Sequence, residues 1–178
     1  MKKPYIICHM MISIDGRIDC AMTSKLPGVD DYYTTLDEIN VPTTVSGRVR
    51  AELEMAESYL IVTSEKVSKE YLDYLDGQNI SWIACGKEHV DLARAVEILA
   101  EKFGVERMGI VGGPKINTAF LEAGLLDEIS LLVGAGIDGR GGMPSVFDGL
   151  AMEHDVTRLK LIDVKKFDSD AVQIRYQC

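Results

Sequence analysis

The chain has 178 residues, enough for one domain with a sizeable core. Its 47% hydrophobic and 26% charged content is that of an ordinary soluble globular protein. The net charge of −9 excludes the extended basic face that a nucleic acid or an anionic membrane would need, while leaving room for a local pocket for one phosphate.

Lys2 and Lys3 precede an apolar run from Tyr5 to Ile14, but that run flows into Asp15-Gly16-Arg17 with no small-residue cleavage site. It reads as a first strand rather than an export signal. No stretch approaches the roughly 18 apolar residues of a membrane helix. Cys8, Cys20, Cys85 and Cys178 are scattered with no CxxC pair, so no metal site or disulfide framework is expected and the cytoplasm is the default compartment.

In chain order, Pro4 to Ile14 is the first strand and residues 20–28 are a loop. Val29, Tyr32, Tyr33, Leu36 and Ile39 then mark one face of a helix that Pro42 ends. Tyr33 is expected in the core. Thr43–Ser46 is a short β-branched strand, and Arg48–Ala56 is a helix-forming string. Ser58–Thr63 is a strand, Ser68 caps a helix that Gly77 stops, and Ile80–Cys85 is the next strand. Asp91 caps the clearest helix, with Leu92, Ala95, Val96, Leu99 and Phe103 on one face.

Val105–Val111 is a strand that runs into Gly112-Gly113, and a helix follows as far as Gly124. Asp127–Gly134 is a strand, 135–150 a glycine-rich loop, and 159–176 a β-hairpin around residues 167–170. Alternating strands and helices with an antiparallel finish predict an α/β fold. Its central sheet is mostly parallel, flanked by helices, with the hairpin at its edge, in a single domain over 1–178.

The Gly112-Gly113 turn is the best chemical signal. Glycine lets backbone approach a phosphate closely, and the first N–H groups of the following helix point at it with the helix dipole behind them. A tight structural connection is the competing reading. Arg48 and Arg50 place two cations at a helix start, where the dipole disfavours them, and a bound phosphate would resolve that conflict. His9, among apolar neighbours, reads as a hydrogen-bonded core residue, and His89 and His154 as surface.

Four stretches resemble the reductase domain of the bifunctional riboflavin-biosynthesis deaminase–reductase, within the dihydrofolate-reductase-like superfamily. They are Ile12-Ser13-Ile14-Asp15-Gly16-Arg17-Ile18-Asp19, Ser46-Gly47-Arg48, Val111-Gly112-Gly113 and Phe120 to Ile129. The resemblance implies an NADPH-dependent reductase, commonly a homodimer. It implies that Gly112 and Gly113 lie against the cofactor pyrophosphate, with Lys115, Ile116 and Asn117 at the helix start. Gly47 and Arg48 would hold the ribose phosphate or stack on the adenine. Ser13 and Asp15 would face the substrate, with Asp15 orienting or protonating the acceptor, directly or through a water.

The chain departs from the family pattern in three ways. The Gly16–Gly47 segment is short, the usual GR-x-T reads Gly47-Arg48-Val49-Arg50, and the deaminase signature (H-x-E, then P-C-x-x-C) is absent, which implies a reductase without the deaminase domain. The implied reaction is hydride transfer to a small heterocyclic or carbonyl/imine substrate, such as the ribosylamino imine of a pyrimidine phosphate. Two alternatives stand beside it. One is a non-catalytic nucleotide-binding protein on the same fold. The other is a dihydrofolate reductase, for which Asp30, Asp31 and Asp37 supply acidic residues in the first helix. The 135–150 loop would close over a ligand or shape a dimer edge.

Overall fold

The computed structural model describes residues 2–46 and 60–178, so Gly47, Arg48 and the expected helix over 48–56 lie outside the described residues. The chain forms two compact units, one of Met1–Pro4 with Ala51–Glu106 and one of Tyr5–Arg50 with Arg107–Cys178.

The second unit is built on a six-stranded sheet. Its strands are β1 (Tyr5–Ile12), β2 (Thr43–Val45), β5 (Arg107–Ile110), β6 (Glu128–Val133), β7 (Lys160–Lys166) and β8 (Val172–Gln177), in the order β2-β5-β1-β6-β8-β7. The first four are parallel, and β8 and β7 are antiparallel additions at one edge. Cys8 stands opposite Ile110 on one side and Ile129 on the other, which makes β1 the centre. A parallel central strand is covered on both faces and therefore needs an unbroken apolar run. Every residue of β1 after Tyr5 is buried.

One face of this sheet carries α2 (Val29–Glu38). Met11, Tyr32, Leu132 and Ala171 form one apolar cluster there, and Ile7, Ile39 and Val41 another. Tyr33, expected in the core, is 55% exposed and meets Tyr32 edge-on. The helix turns its apolar stripe through Tyr32 and Leu36, which leaves Tyr33 just off it. The loop expected over 20–28 begins with a single helical turn, α1 (Cys20–Thr23). On the opposite face the chain enters α5 (Pro114–Glu122), whose approach runs beside Met10.

His9 is fully buried on the α2 face and stacks on Tyr32 with ring centroids 4.7 Å apart. Its Nδ1 is 3.0 Å from Ser130 Oγ, which also accepts from Gln173 Nε2 at 3.0 Å. Its Nε2 is 3.3 Å from the Tyr32 carbonyl and 3.2 Å from Thr35 Oγ1. Both ring nitrogens are therefore occupied, as a buried polar group requires.

The first unit pairs β3 (Leu60–Thr63) in parallel with β4 (Ser81–Ala84) as a separate two-stranded sheet. Its helices are α3 (Lys69–Gly77) and α4 (Leu92–Lys102). Both caps expected from sequence are made: Ser68 Oγ accepts from Tyr71 N at 3.2 Å and Asp91 Oδ1 from Arg94 N at 2.9 Å.

Candidate active site

All four parallel strands of the large sheet end at the same edge. Gly112-Gly113 follows β5 there, Ser13–Arg17 follows β1, and the glycine-rich loop follows β6. The hairpin turn lies at the same edge, because Val172 pairs with Val133 at the end of β6. In α/β sheets, ligands collect in the crevice outside these carboxyl ends.

The two glycines differ in what they do. Gly112 has φ of +105°, a backbone state that favours glycine, and a Cβ there would sit 3.1 Å from Met10 Cε. Gly113, the residue before α5, has an ordinary φ of −86°. A Cβ built on it meets nothing within 4 Å among the described residues. The Gly112–Gly113 peptide bond is cis, and apart from its chain neighbours no described residue packs against position 113.

The N–H groups of Ile116 and Asn117 both donate to the Gly113 carbonyl at 3.1 Å. The outward donors of this helix start are instead those of Gly113 and Lys115, which have no partner among the described residues. Pro114 takes the first helical position, where a missing N–H costs nothing. The Asn117 side chain is buried and donates to the Val146 carbonyl at 2.8 Å, which fastens the glycine-rich loop. Thr118 next to it accepts from Asp148 N at 3.0 Å and donates to the Asp148 carbonyl at 2.9 Å.

Ser13 and Asp15 act together. Ser13 is buried; its hydroxyl donates to Asp15 Oδ1 at 2.7 Å and accepts from Arg17 N at 3.0 Å. Asp15 also accepts from the N–H groups of Asp138 and Gly139, each at 3.0 Å. The Ser13 hydroxyl first, and then these two N–H groups, hold its carboxyl well below the usual carboxylate range. Asp15 is thus an ionised clasp that joins the exit of β1 to the glycine-rich loop. In this arrangement it has no proton to give.

Arg17 and Arg140 complete the clasp. Arg17 Nη1 donates to the Met143 carbonyl at 2.7 Å, and Arg17 pairs with Ser145 as an isolated bridge. Arg140 spans Asp138 and Asp19, with Nη2 2.7 Å from Asp19 Oδ2. The 135–150 segment is therefore an ordered strap, and its Val146 enters the core. Sequence reasoning missed Arg17, Asp138, Arg140 and Thr118 as strap residues. An Asp-Gly-Arg turn and a lone arginine among glycines carry no sign that they will meet.

Beside this edge lies a cleft of about 540 Å³ between residues 24–31 and residues 166–169. Leu26, Val29 and Phe167 form its apolar walls and pack against the Tyr32 cluster. Leu26 also lies against Gly134 and Gly136, and Gly136 O accepts from Ile14 N at 2.8 Å. The cleft therefore adjoins the β1 exit.

The model of the RibD C-terminal domain family matches residues 39–173. A pyrimidine reductase-like protein from Corynebacterium diphtheriae superposes with a TM-score of 0.79 at 15% identity, covering 98% of this chain and 91% of that one. RibD of Acinetobacter baumannii gives 0.74 at 16% identity; 98% of this chain covers 58% of that longer one. The riboflavin biosynthesis reductase Rib7 of Saccharomyces cerevisiae gives 0.66 at 13% identity over 98% and 90%. At these identities the likeness is one of fold, a mostly parallel sheet with an antiparallel edge, and it runs the length of the chain. With the family match over most of its residues, the chain belongs to the RibD C-terminal domain family.

Proposed function

We propose that the protein is an NADPH-dependent reductase that transfers hydride to a small heterocyclic or carbonyl/imine acceptor of the ribosylaminopyrimidine class. The observation that carries this reading is Gly113, a glycine that no described residue beyond its chain neighbours crowds, at the start of a helix where the N–H groups of Gly113 and Lys115 have no partner among the described residues. A pyrophosphate fits that cradle. Bound NADPH would supply the hydride, and the chain's part is to hold and enclose the reactants. Gly112 and Gly113 would admit the phosphates, with Lys115 adding charge at the rim. Gly47 and Arg48 follow β2 in sequence, and the guanidinium would take the ribose phosphate that distinguishes NADPH from NADH.

Asp15 would act by position. Its carboxylate fixes the strap across the β1 exit and shields the acceptor from water, while the proton that completes reduction would come from another donor. A deaminase activity is not part of this reading.

Titration with both nicotinamide cofactors, followed by nicotinamide fluorescence, tests the proposal. NADPH should bind more tightly than NADH. Arg48→Ala should weaken NADPH by ~1.5–3 kcal/mol, the range for hydrogen bonds to charged groups, with little effect on NADH. Equal and negligible responses to both cofactors would sink the reductase reading. Tight NADPH binding with no turnover of any pyrimidine, pteridine or carbonyl substrate would favour a nucleotide-binding protein.

We also propose a homodimer. On the sheet face opposite α2, Leu131 pairs with Ile174, and Ile174 with Val164, in one apolar row. Leu161 and Val164 are each 54% exposed. The β7 edge itself is guarded by a register irregularity between Leu161 and Asp163 and by Lys160, Lys165 and Lys166, which disfavours edge-to-edge addition. Packing of the face against a second copy is the better use of this surface. Sedimentation velocity should give a dimer mass that Val164→Lys reduces to a monomer; a monomeric parent protein would refute it.

A further inference from the structure

His9 sits where α2 meets the sheet, and its hydrogen bonds run in one direction. Gln173 Nε2 on β8 donates to Ser130 Oγ on β6 at 3.0 Å. The Ser130 hydroxyl keeps one proton of its own, and the acceptor for it is His9 Nδ1 on β1, 3.0 Å away. A ring nitrogen that accepts carries no hydrogen, so the proton of the neutral imidazole is on Nε2. That proton points at α2, towards Thr35 Oγ1 at 3.2 Å and the Tyr32 carbonyl at 3.3 Å. Thr35 in turn donates to the Asp31 carbonyl at 2.8 Å, and the Tyr32 hydroxyl donates back to the His9 carbonyl at 3.5 Å. Three strands are thus joined to one helix through a single buried ring.

This chain of bonds accommodates the neutral ring alone. A second ring proton, on Nδ1, would displace the Ser130 hydroxyl from its acceptor. It would also place a charge in an apolar layer, because Ile7 and Met11, two residues either side of His9 on the same face of β1, belong to the two clusters under α2. The charges that bear on the ring are Glu128 on β6 and Arg175 on β8, which pair with each other at 2.6 Å and act on His9 in opposite senses. From α2 the ring meets the Tyr32 phenol, while the Asp31 carboxylate accepts from Ser169 Oγ.

We propose that His9 is a proton-operated lock on α2: as the neutral Nε2–H tautomer it fastens the helix to the sheet, and once protonated it lets the helix lift while the sheet stays folded. Val29, Asp30 and Asp31 at the start of α2 line the cleft beside the β1 exit, so the lock governs one wall of that cleft. The lock stands independently of the reductase reading. Burial holds the imidazole of the closed form down to about 4, so in mildly acid solution the proton is taken up by the lifted form.

Nitrogen-15 NMR of the full chain at pH 7 should show His9 protonated at Nε2 and bare at Nδ1. Hydrogen exchange, corrected for the intrinsic rate at each pH, reads the opening of the central turns of α2, residues 32–36. Their opening constant should rise about 10-fold per pH unit from 6.5 towards 4, the linkage of one proton. At pH 5 it should exceed that of β5 by ~10-fold or more, as for a helix that opens before the sheet. His9→Gln, which does not titrate, should make the opening of α2 independent of pH. Ser130→Ala removes the donor that favours the neutral ring, so His9 should titrate at higher pH in that variant than in the parent protein. An Nδ1–H tautomer would overturn the lock, as would α2 and β5 opening together in one step. So would an undiminished pH dependence in His9→Gln, or a His9 titration that Ser130→Ala leaves in place. Should His9→Gln fail to fold, the tautomer, the order of opening and the Ser130→Ala titration decide the matter without it.

Discussion

Gly113→Val is expected to weaken NADPH binding by ~100-fold, about 2.7 kcal/mol, an effect read separately from any change in stability. In the protein alone, a Cβ at 113 meets nothing within 4 Å among the described residues beyond its chain neighbours. A bound pyrophosphate would occupy that space, and an isopropyl group would lift it off the helix-start N–H groups. Gly113→Ala should give a smaller loss in the same direction. Gly112 provides the contrast. Its positive φ and its closeness to Met10 make substitution there costly to the fold itself. The measurements are cofactor affinity by fluorescence titration and stability by denaturant melt. Unchanged NADPH affinity in a stable Gly113→Val variant would remove the pyrophosphate site from this turn.

Acid should destabilise the protein through His9. Burial, the largest cause, pushes this imidazole down from 6.5 to about 4, against weaker upward contributions from its backbone neighbours Tyr32 and Ser130. The charges that bear on it are Arg175, which lowers its pKa, and Glu128, which raises it. Between those two values the unfolded chain takes up a proton and the folded one does not. His9 therefore contributes no penalty above pH 6.5, and stability is lost progressively as pH falls from 6.5 towards 4. The loss amounts to on the order of 3 kcal/mol. A His9→Gln variant should lose this slope even if it is less stable overall, because the amide does not titrate. Denaturant midpoints across pH 4–7 measure it, and an equal slope in parent and variant would refute the assignment to His9. The depressed carboxylates Asp15, Asp138 and Asp148 lose their stabilising contribution only in more acidic solution, so they do not mimic the effect.

Much of the fold was legible in the residues. The apolar run of β1, interrupted by His9, announced a buried first strand, because covering both faces leaves little polar period. Ser68 and Asp91 announced helix starts, because their side chains satisfy orphan N–H groups locally. The last two strands, with a short polar turn between them, announced the antiparallel edge. Tyr33 was misplaced because the helix stripe is narrower than a list of apolar positions, and its neighbour Tyr32 takes the core place.

The site was only half legible, for a physical reason. A Gly-Gly turn before a helix is local chemistry, and spacing alone points to it. The Asp15 clasp and the Asp31–Ser169 pair join residues more than 120 positions apart, through backbone donors and a hydroxyl that have no pattern of their own. By itself the sequence determined the α/β class, the buried first strand, the helix caps and the Gly112-Gly113 turn before a helix, since each follows from neighbours a few residues away. Only the tertiary structure decided that Asp15 holds a strap, that the Asn117 side chain is buried against the Val146 carbonyl, and that Ser169 donates to Asp31 beside a cleft. Those outcomes depend on which distant segments the sheet order brings to one edge.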